Sequence, residues 1–313
     1  VSRGAGENLR SLGYEGDYIV MENGVDVPRG RVSDEAIAAA TGGYDLPQNV
    51  PVFLFVGRLM WYKGIRIILD ALKTLREKNV DFRMVFVGEG ADGTEIRSYA
   101  EELKLSDRCF FTGAISDREV IRAWYSRVDL FLFPSTFDTN GLVVREAAAS
   151  GTATVMIRNS CAAEGVSGGQ NGFLIDENAE SLAAMLLRLC RTPETMRTVG
   201  ENAQRELYVS WETAVQRAMA RYEVVIDNYR SGRYPRHERL GDEFFKTQGE
   251  LMETFAGIGE LQEELTAGLE RERREAEQKR ERSRAEMQQL LRGTKHEISE
   301  LYRTLLQKMD QYL

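Results

Sequence analysis

The chain has 313 residues, 42% of them hydrophobic and 29% charged, with a formal net charge of −8. This length suits about two domains and the apolar share a full core, whereas a net acidic chain lacks the basic face that a general nucleic-acid binder needs. The only histidines are His237 and His296, which excludes an imidazole acid or base, a Ser-His-Asp triad and a His/Cys zinc site from everything before residue 230.

The first stretch, "RGAGENLRSLGY", reads as a helix already under way at Val1, and with no initiating Met it predicts a piece of something longer. "DYIVMENGVD" (Asp17 to Asp26) reads as a strand running into a tight Asn-Gly turn. A looser stretch to Gln48, with Pro28, Gly30, Gly42, Gly43 and Pro47, reads as linker with one short helix. A regular alternation follows. "VPVFLFVG", "DFRMVFVG", "RCFFTG", "VDLFLFPS", "TATVMI" and "GFLI" are short apolar runs of strand type. Between them "KGIRIILDALKTLREK", "TEIRSYAEELKL", "REVIRAWYSR" and "LVVREAAAS" carry helical spacing, and helical patterns continue from about 179 to 230. Strands alternating with helices predict an α/β, Rossmann-like parallel sheet with helices on both faces.

From about Ser231 the character changes. "SGRYPRHERLGD" is a polar break, and "EFFKTQGELMETFAGIGELQEEL" is helical with interrupting glycines. "ERERREAEQKRERSRAE" then predicts a solvated helix with i,i+4 pairs such as Glu270–Arg274 and Arg271–Glu275. Met287, Leu291, Thr294, Ile298, Leu301 and Leu305 step by four and three, a heptad seam that predicts a coiled coil or helical hairpin and hence self-association or a helical partner. Cys109, Cys161 and Cys190 are odd in number and widely spaced, and read as buried free thiols in a reducing compartment. No apolar run approaches the roughly 18 residues of a membrane helix, and no stretch of this sequence reads as a signal peptide. The expectation is a cytoplasmic chain, with a peripheral position at a membrane left open.

Three motifs bear on chemistry. "FVGEGADG" sets Gly88-x-Gly90-x-x-Gly93 after a strand, with Asp107 about twenty residues on, as in a dinucleotide fingerprint. It follows the second strand of the alternation, though, and Asp107 precedes the next strand, so turn glycines at a sheet edge is the better reading and NAD is set aside. "GRLMWYKG" (Gly57 to Gly64) puts Arg58 and Lys63 between a strand end and a helix start, where two cations suit a diphosphate; two solvated loop cations is the competing reading. "FDTNGLVVREAAASG" sets Asp138 on a loop, Gly141 between, and Glu146 early in a helix, the layout of a ligand site at the carboxyl end of a strand. The competing readings are a loop-capping Asp138 and a helix-face salt bridge for Glu146.

In order and spacing, "MENGVD", "GRLMWYKG", "FTGAIS", "FPSTFDTNGLVVREAAASGTATV" and "GQNGFLI" resemble the C-terminal domain of family 4 retaining glycosyltransferases of the GT-B fold, over about residues 1 to 230. The resemblance implies a remnant of an N-terminal domain and hinge at 1–26, a donor-binding Rossmann-like domain at 27–230, and an added helical tail at 231–313. It further implies a nucleoside diphosphate sugar as substrate, with UDP ahead of GDP, and neither metal nor other cofactor. Carried over by position, Arg58 and Lys63, beside Gly57, would neutralise the departing diphosphate. The backbone from Thr139 through Asn140, Gly141 and Leu142 to Val143 would meet phosphates or sugar. Glu146 would accept from the ribose hydroxyls, and the backbone from Gly113 to Ile115 would lie near the base. Asp138 would face the transferred sugar, as the third residue of an implied catalytic set with Arg58 and Lys63. Here the sequence departs from the family, since Asp138 stands one methylene short of the usual Glu. The implied activity is glycosyl transfer to an unidentified acceptor, with this chain as the donor-binding part and the missing N-terminal domain needed for turnover. A non-catalytic scaffold presenting a coiled coil is the alternative.

Overall fold

Five consecutive apolar residues, Val52–Val56 (β1), form a strand buried along its whole length. Such a run suits only the interior of a sheet covered on both faces, and β1 sits there. It pairs in parallel with β2 (Arg83–Val87) on one side and with β4 (Leu130–Phe133) on the other. β3 (Cys109–Gly113), β5 (Thr154–Ile157) and β6 (Phe173–Ile175) complete a parallel six-stranded sheet of order β3-β2-β1-β4-β5-β6. The computed structural model describes residues 2–234 and 240–309, with only part of the side chains in the last helix. Two compact units contain them, Val1–Asn228 and Tyr229–Leu313.

The helices of the first unit are α1 (Arg3–Ser11), α2 (Asp34–Thr41), α3 (Ile65–Glu77), α4 (Gly93–Glu102), α5 (Arg118–Arg127), α6 (Leu142–Ala149), α7 (Ala179–Leu189) and α8 (Pro193–Glu206), with α9 (Trp211–Arg230) reaching its end. Ile65, Ile68, Leu69, Leu72 and Leu75 give α3 one apolar stripe, all of it buried. α3 packs with α4 and α7, and α5 packs with α2 and α6. Because β1, β2 and β3 step one way along the sheet and β4, β5 and β6 the other, right-handed crossovers put these two helix groups on opposite faces. Between β1 and β4 the direction reverses, and the loops leaving their carboxyl ends diverge around a crevice. The sheet therefore fixes where a ligand site belongs.

The predicted strand at Asp17 to Asp26 does not form. Its residues carry no regular secondary structure, and their only described ladder contact is an isolated bridge between Val25 and Ser210. Alternating apolar residues make a strand only where a neighbour pairs with them, and among the described residues no second strand lies alongside. Nor is there an Asn-Gly turn. A Cβ on Gly24 would stand 2.4 Å from the backbone of Trp211, so this glycine serves close approach to the start of α9. Among the thiols only Cys109 is fully buried, Cys161 and Cys190 being partly exposed, and all three are free.

In the second unit, α10 (Leu240–Met309) is one helix of 70 residues that runs without a break through Gly249, Gly257, Gly268 and Gly293. The glycines thus do not interrupt it. Glu270–Arg274 forms at 3.0 Å and Arg273–Glu277 at 3.6 Å, while the second expected pair, Arg271–Glu275, is not found among the described ion pairs. Of the heptad seam only Met287 has a described side chain, and it is exposed. The side chains of Leu291, Thr294, Ile298, Leu301 and Leu305, and the centre of the polar break at 235–239 with His237, lie outside the described residues. No described helix is long and apolar enough to cross a membrane.

Candidate donor-binding site

The loop after β1 carries Gly57, Arg58 and Lys63, and the loop after β4 carries Asp138 to Gly141. These are the two loops of the switch-point crevice. Gly64 lets them touch: its φ is 77°, and a Cβ there would stand 1.9 Å from the Pro134 carbonyl oxygen. No other residue type fits. Lys63 is thereby brought against the second loop, where its Nζ lies 2.6 Å from Asp138 Oδ2. The same carboxylate oxygen accepts from Ser135 Oγ at 3.0 Å. With side chains 11% and 23% exposed, the pair is shielded yet still open to a ligand from the crevice. An aromatic contact joins the same loops, Tyr62 meeting Phe137 edge-on at 5.6 Å. Lys63 and Arg58 lie 5.4 and 6.0 Å from the Tyr62 ring. Arg58 is exposed and has no carboxylate partner among the described residues.

α6 starts bare. Its cap is Gly141 with φ 58°, there is no side-chain cap, and no acidic residue stands in the first turn. Among the described residues nothing accepts from the amides of Leu142 and Val143. Val144 N donates to the Gly141 carbonyl at 2.9 Å, so two N–H groups, those of Leu142 and Val143, remain unpaired at this helix start, and such groups suit an anion. The loop supplies a further donor, because Asn140 Nδ2 is buried without a hydrogen-bond partner. Thr139 is exposed, and Val143 packs against the core from its half-buried position.

Glu146 lies one turn along α6 and faces a different environment. It lines a cavity of about 310 Å3 with Ser116, Arg118, Tyr125, Asp26 and Trp211. Tyr125 Oη donates to Glu146 Oε2 at 3.3 Å, long for an O–H···O bond. Tyr125 is itself fixed, buried edge-on against Phe131 at 5.4 Å. Burial pushes the Glu146 carboxyl above its ordinary value, while the Tyr125 hydrogen bond and the Arg118 charge pull it back. Burial, with the Glu146 charge and hydrogen bond, raises the Tyr125 phenol. No hydrogen bond or ion pair joins Glu146 to Lys63 or Asp138. The sequence-predicted residues thus form two groups along one helix and loop: cations, bare amides and Asp138 at one end, and a half-buried carboxylate at the other.

Gly113 ends β3, where its carbonyl accepts the Gly88 amide at 2.9 Å, and Ile115 leans on the core. The Gly88–Gly93 loop is tied to the loop after β1, Leu59 N donating to Glu89 O and Trp61 N to Asp92 Oδ2. These contacts make it a brace for the Arg58 loop. Sequence reading missed Tyr125, Ser135, Arg118 and Ser116. Ser135 had only the signal of standing three residues before Asp138 on the same loop. Tyr125 had none, lying 21 residues from Glu146 on another helix.

The family described as "Glycosyl transferases group 1" matches residues 41–206, more than half of the chain. The chain belongs to that family. Its sheet is one Rossmann-like half of a GT-B fold. D-inositol 3-phosphate glycosyltransferase 2 of Catenulispora acidiphila is 28% identical over 242 residues, covering 74% of this chain and 56% of that protein. The GDP-mannose-dependent alpha-(1-6)-phosphatidylinositol dimannoside mannosyltransferase of Mycobacterium tuberculosis is 30% identical over 164 residues, covering 52% of this chain and 42% of that one. Among solved structures, Anabaena HepE in complex with UDP and glucose superposes with a TM-score of 0.63 at 23% identity, covering 71% of this chain and 61% of that one. The chain spans about half the length of the curated relatives it matches.

Proposed function

We propose that residues 27–230 bind the donor of a retaining glycosyltransferase, a nucleoside diphosphate sugar with UDP ahead of GDP, for transfer to an acceptor held elsewhere. The observation that carries this is the meeting of Lys63, the bare α6 N-terminus and the unpartnered Asn140 amide at the β1/β4 switch point. A diphosphate suits that end, because it offers several acceptor oxygens and two charges to donors already in place. The ribose belongs at Glu146, whose carboxylate accepts hydroxyl protons and whose long bond to Tyr125 yields to a better donor. Gly113 to Ile115 then lie toward the base. The complex of HepE with UDP and glucose and the GDP-mannose dependence named for the mycobacterial relative support a nucleotide-sugar donor and leave both bases in play.

In transfer, Arg58 and Lys63 stabilise charge as it builds on the departing diphosphate, and Asp138 faces the sugar that leaves it. Metal-independence is part of the proposal, the two cations taking the place of a bound ion. Calorimetric titration with UDP, GDP and uridine, with and without EDTA, tests the reading. Either diphosphate should bind far more tightly than the nucleoside, and EDTA should change nothing. Absence of nucleotide binding would leave the long helix α10 as the chain's main feature and favour the scaffold alternative.

A further inference from the structure

We propose that Asp138 is a latch on the donor site: it holds Lys63 while the site is empty and exchanges it for the donor's hydroxyls when a diphosphate arrives. The inference rests on the donor-binding reading and concerns what that site does before and during binding. Lys63 Nζ is 2.6 Å from Asp138 Oδ2, so the cation best placed for a diphosphate already has a counter-ion. Its other acceptor is the Phe137 carbonyl at 3.5 Å, on the same loop. Both bonds, and the Tyr62–Phe137 contact, tie the β1 loop to the β4 loop across the crevice. Any anion bound at the α6 N-terminus must compete for that ammonium.

A diphosphate wins this competition because it carries more charge than one carboxylate and is met by the α6 amides and the Asn140 amide as well. As Lys63 turns to it, Asp138 Oδ2 keeps only the Ser135 hydroxyl. A shielded carboxylate deprived of its cation is a strong acceptor, and sugar hydroxyls are the donors a nucleotide sugar brings to it. Loss of the ion pair and gain of the sugar contact are thus coupled through one oxygen atom. The free nucleotide meets the cost of opening the latch without the return, so the site favours the intact donor over its nucleotide product. An Asp in place of Glu fits this reading, since the short side chain reaches both Ser135 and Lys63 from within its own loop.

The test is a titration of the 313-residue chain and its Asp138→Asn variant with UDP, GDP and UDP-glucose. Asparagine keeps the shape and, with its amide oxygen in place of Oδ2, the bond from Ser135, but removes the negative charge that holds Lys63. The variant should bind the free nucleoside diphosphate about fivefold or more tightly, the usual size of a coupling between two sites. It should also lose most of any preference for the sugar nucleotide over the nucleotide. Adding Lys63→Ala should abolish the gain in nucleotide affinity, so that the two substitutions are strongly non-additive. Equal or weaker nucleotide binding by Asp138→Asn, with an unchanged unfolding temperature, would overturn the latch while leaving donor binding intact. A gain that survives Lys63→Ala would overturn it too. Failure of either protein to bind any nucleoside diphosphate would overturn the donor reading and the latch together.

Discussion

Asp138 and Glu146 stand eight residues apart and are treated in opposite ways. Asp138, on a loop, is satisfied by the Lys63 ammonium and a hydroxyl. Glu146, on the first turns of α6, sits half-buried against a phenol that the core holds still. The first partner set can be exchanged, and the second is built in. The difference matches the two ends of a nucleotide. A diphosphate brings charge, which must displace whatever neutralises the waiting cation. A ribose brings neutral hydroxyls, which need an acceptor already aimed and partly dry.

The comparison breaks most easily at Glu146. Under the proposed donor site, Glu146→Ala would remove two charge-assisted hydrogen bonds to the ribose that are not independent, and should weaken UDP binding by about 2–4 kcal/mol. Unchanged affinity in a folded variant, by calorimetry, would take Glu146 out of the site. Arg58→Ala should cost UDP about 1.5–3 kcal/mol and leave uridine nearly untouched, because in the proposed site its guanidinium addresses only phosphate. Equal losses for both ligands would erase the contrast between the two ends. Tyr125→Phe removes one long hydrogen bond to a carboxylate and should lower unfolding stability by about 1 kcal/mol. A loss near zero would mean that Glu146 is held by its backbone alone.

The smallest effect sharpens the burial of Glu146. Its folded-state pKa is raised chiefly by burial, so folding disfavours the ionised form. That cost is absent where the carboxyl is protonated in both states, grows as pH rises from the unfolded value toward the folded one, and is constant above it. Glu146→Gln should therefore raise the unfolding temperature near neutral pH and lose this advantage below about pH 4. An advantage independent of pH would place its origin elsewhere.

The sheet was legible because a strand covered on both faces must be apolar throughout, and the runs ending at Val56, Val87 and Phe133 show that without help from their neighbours. Asp17 to Asp26 misled for the complementary reason, since strand formation there depends on a partner the segment does not specify. In the site, Arg58, Lys63, Asp138 and Glu146 could be placed on the correct loops and helix because strand ends and a helix start bracket them. What could not be read were the contacts across the chain. Lys63 meets Asp138 only because Gly64 passes under Pro134, and Tyr125 meets Glu146 only because α5 and α6 pack side by side. In the tail, composition marked the helix correctly but overrated its glycines, whose cost of about 1 kcal/mol each is absorbed within a 70-residue helix.

The most direct measurement is a crystal structure of the chain with UDP. The diphosphate should lie on the amides of Leu142 and Val143, with Lys63 turned from Asp138 to a phosphate oxygen, and the ribose hydroxyls should be within hydrogen-bond distance of Glu146. A nucleotide bound away from the β1/β4 crevice, or one seated there with its ribose turned from Glu146, would contradict the account.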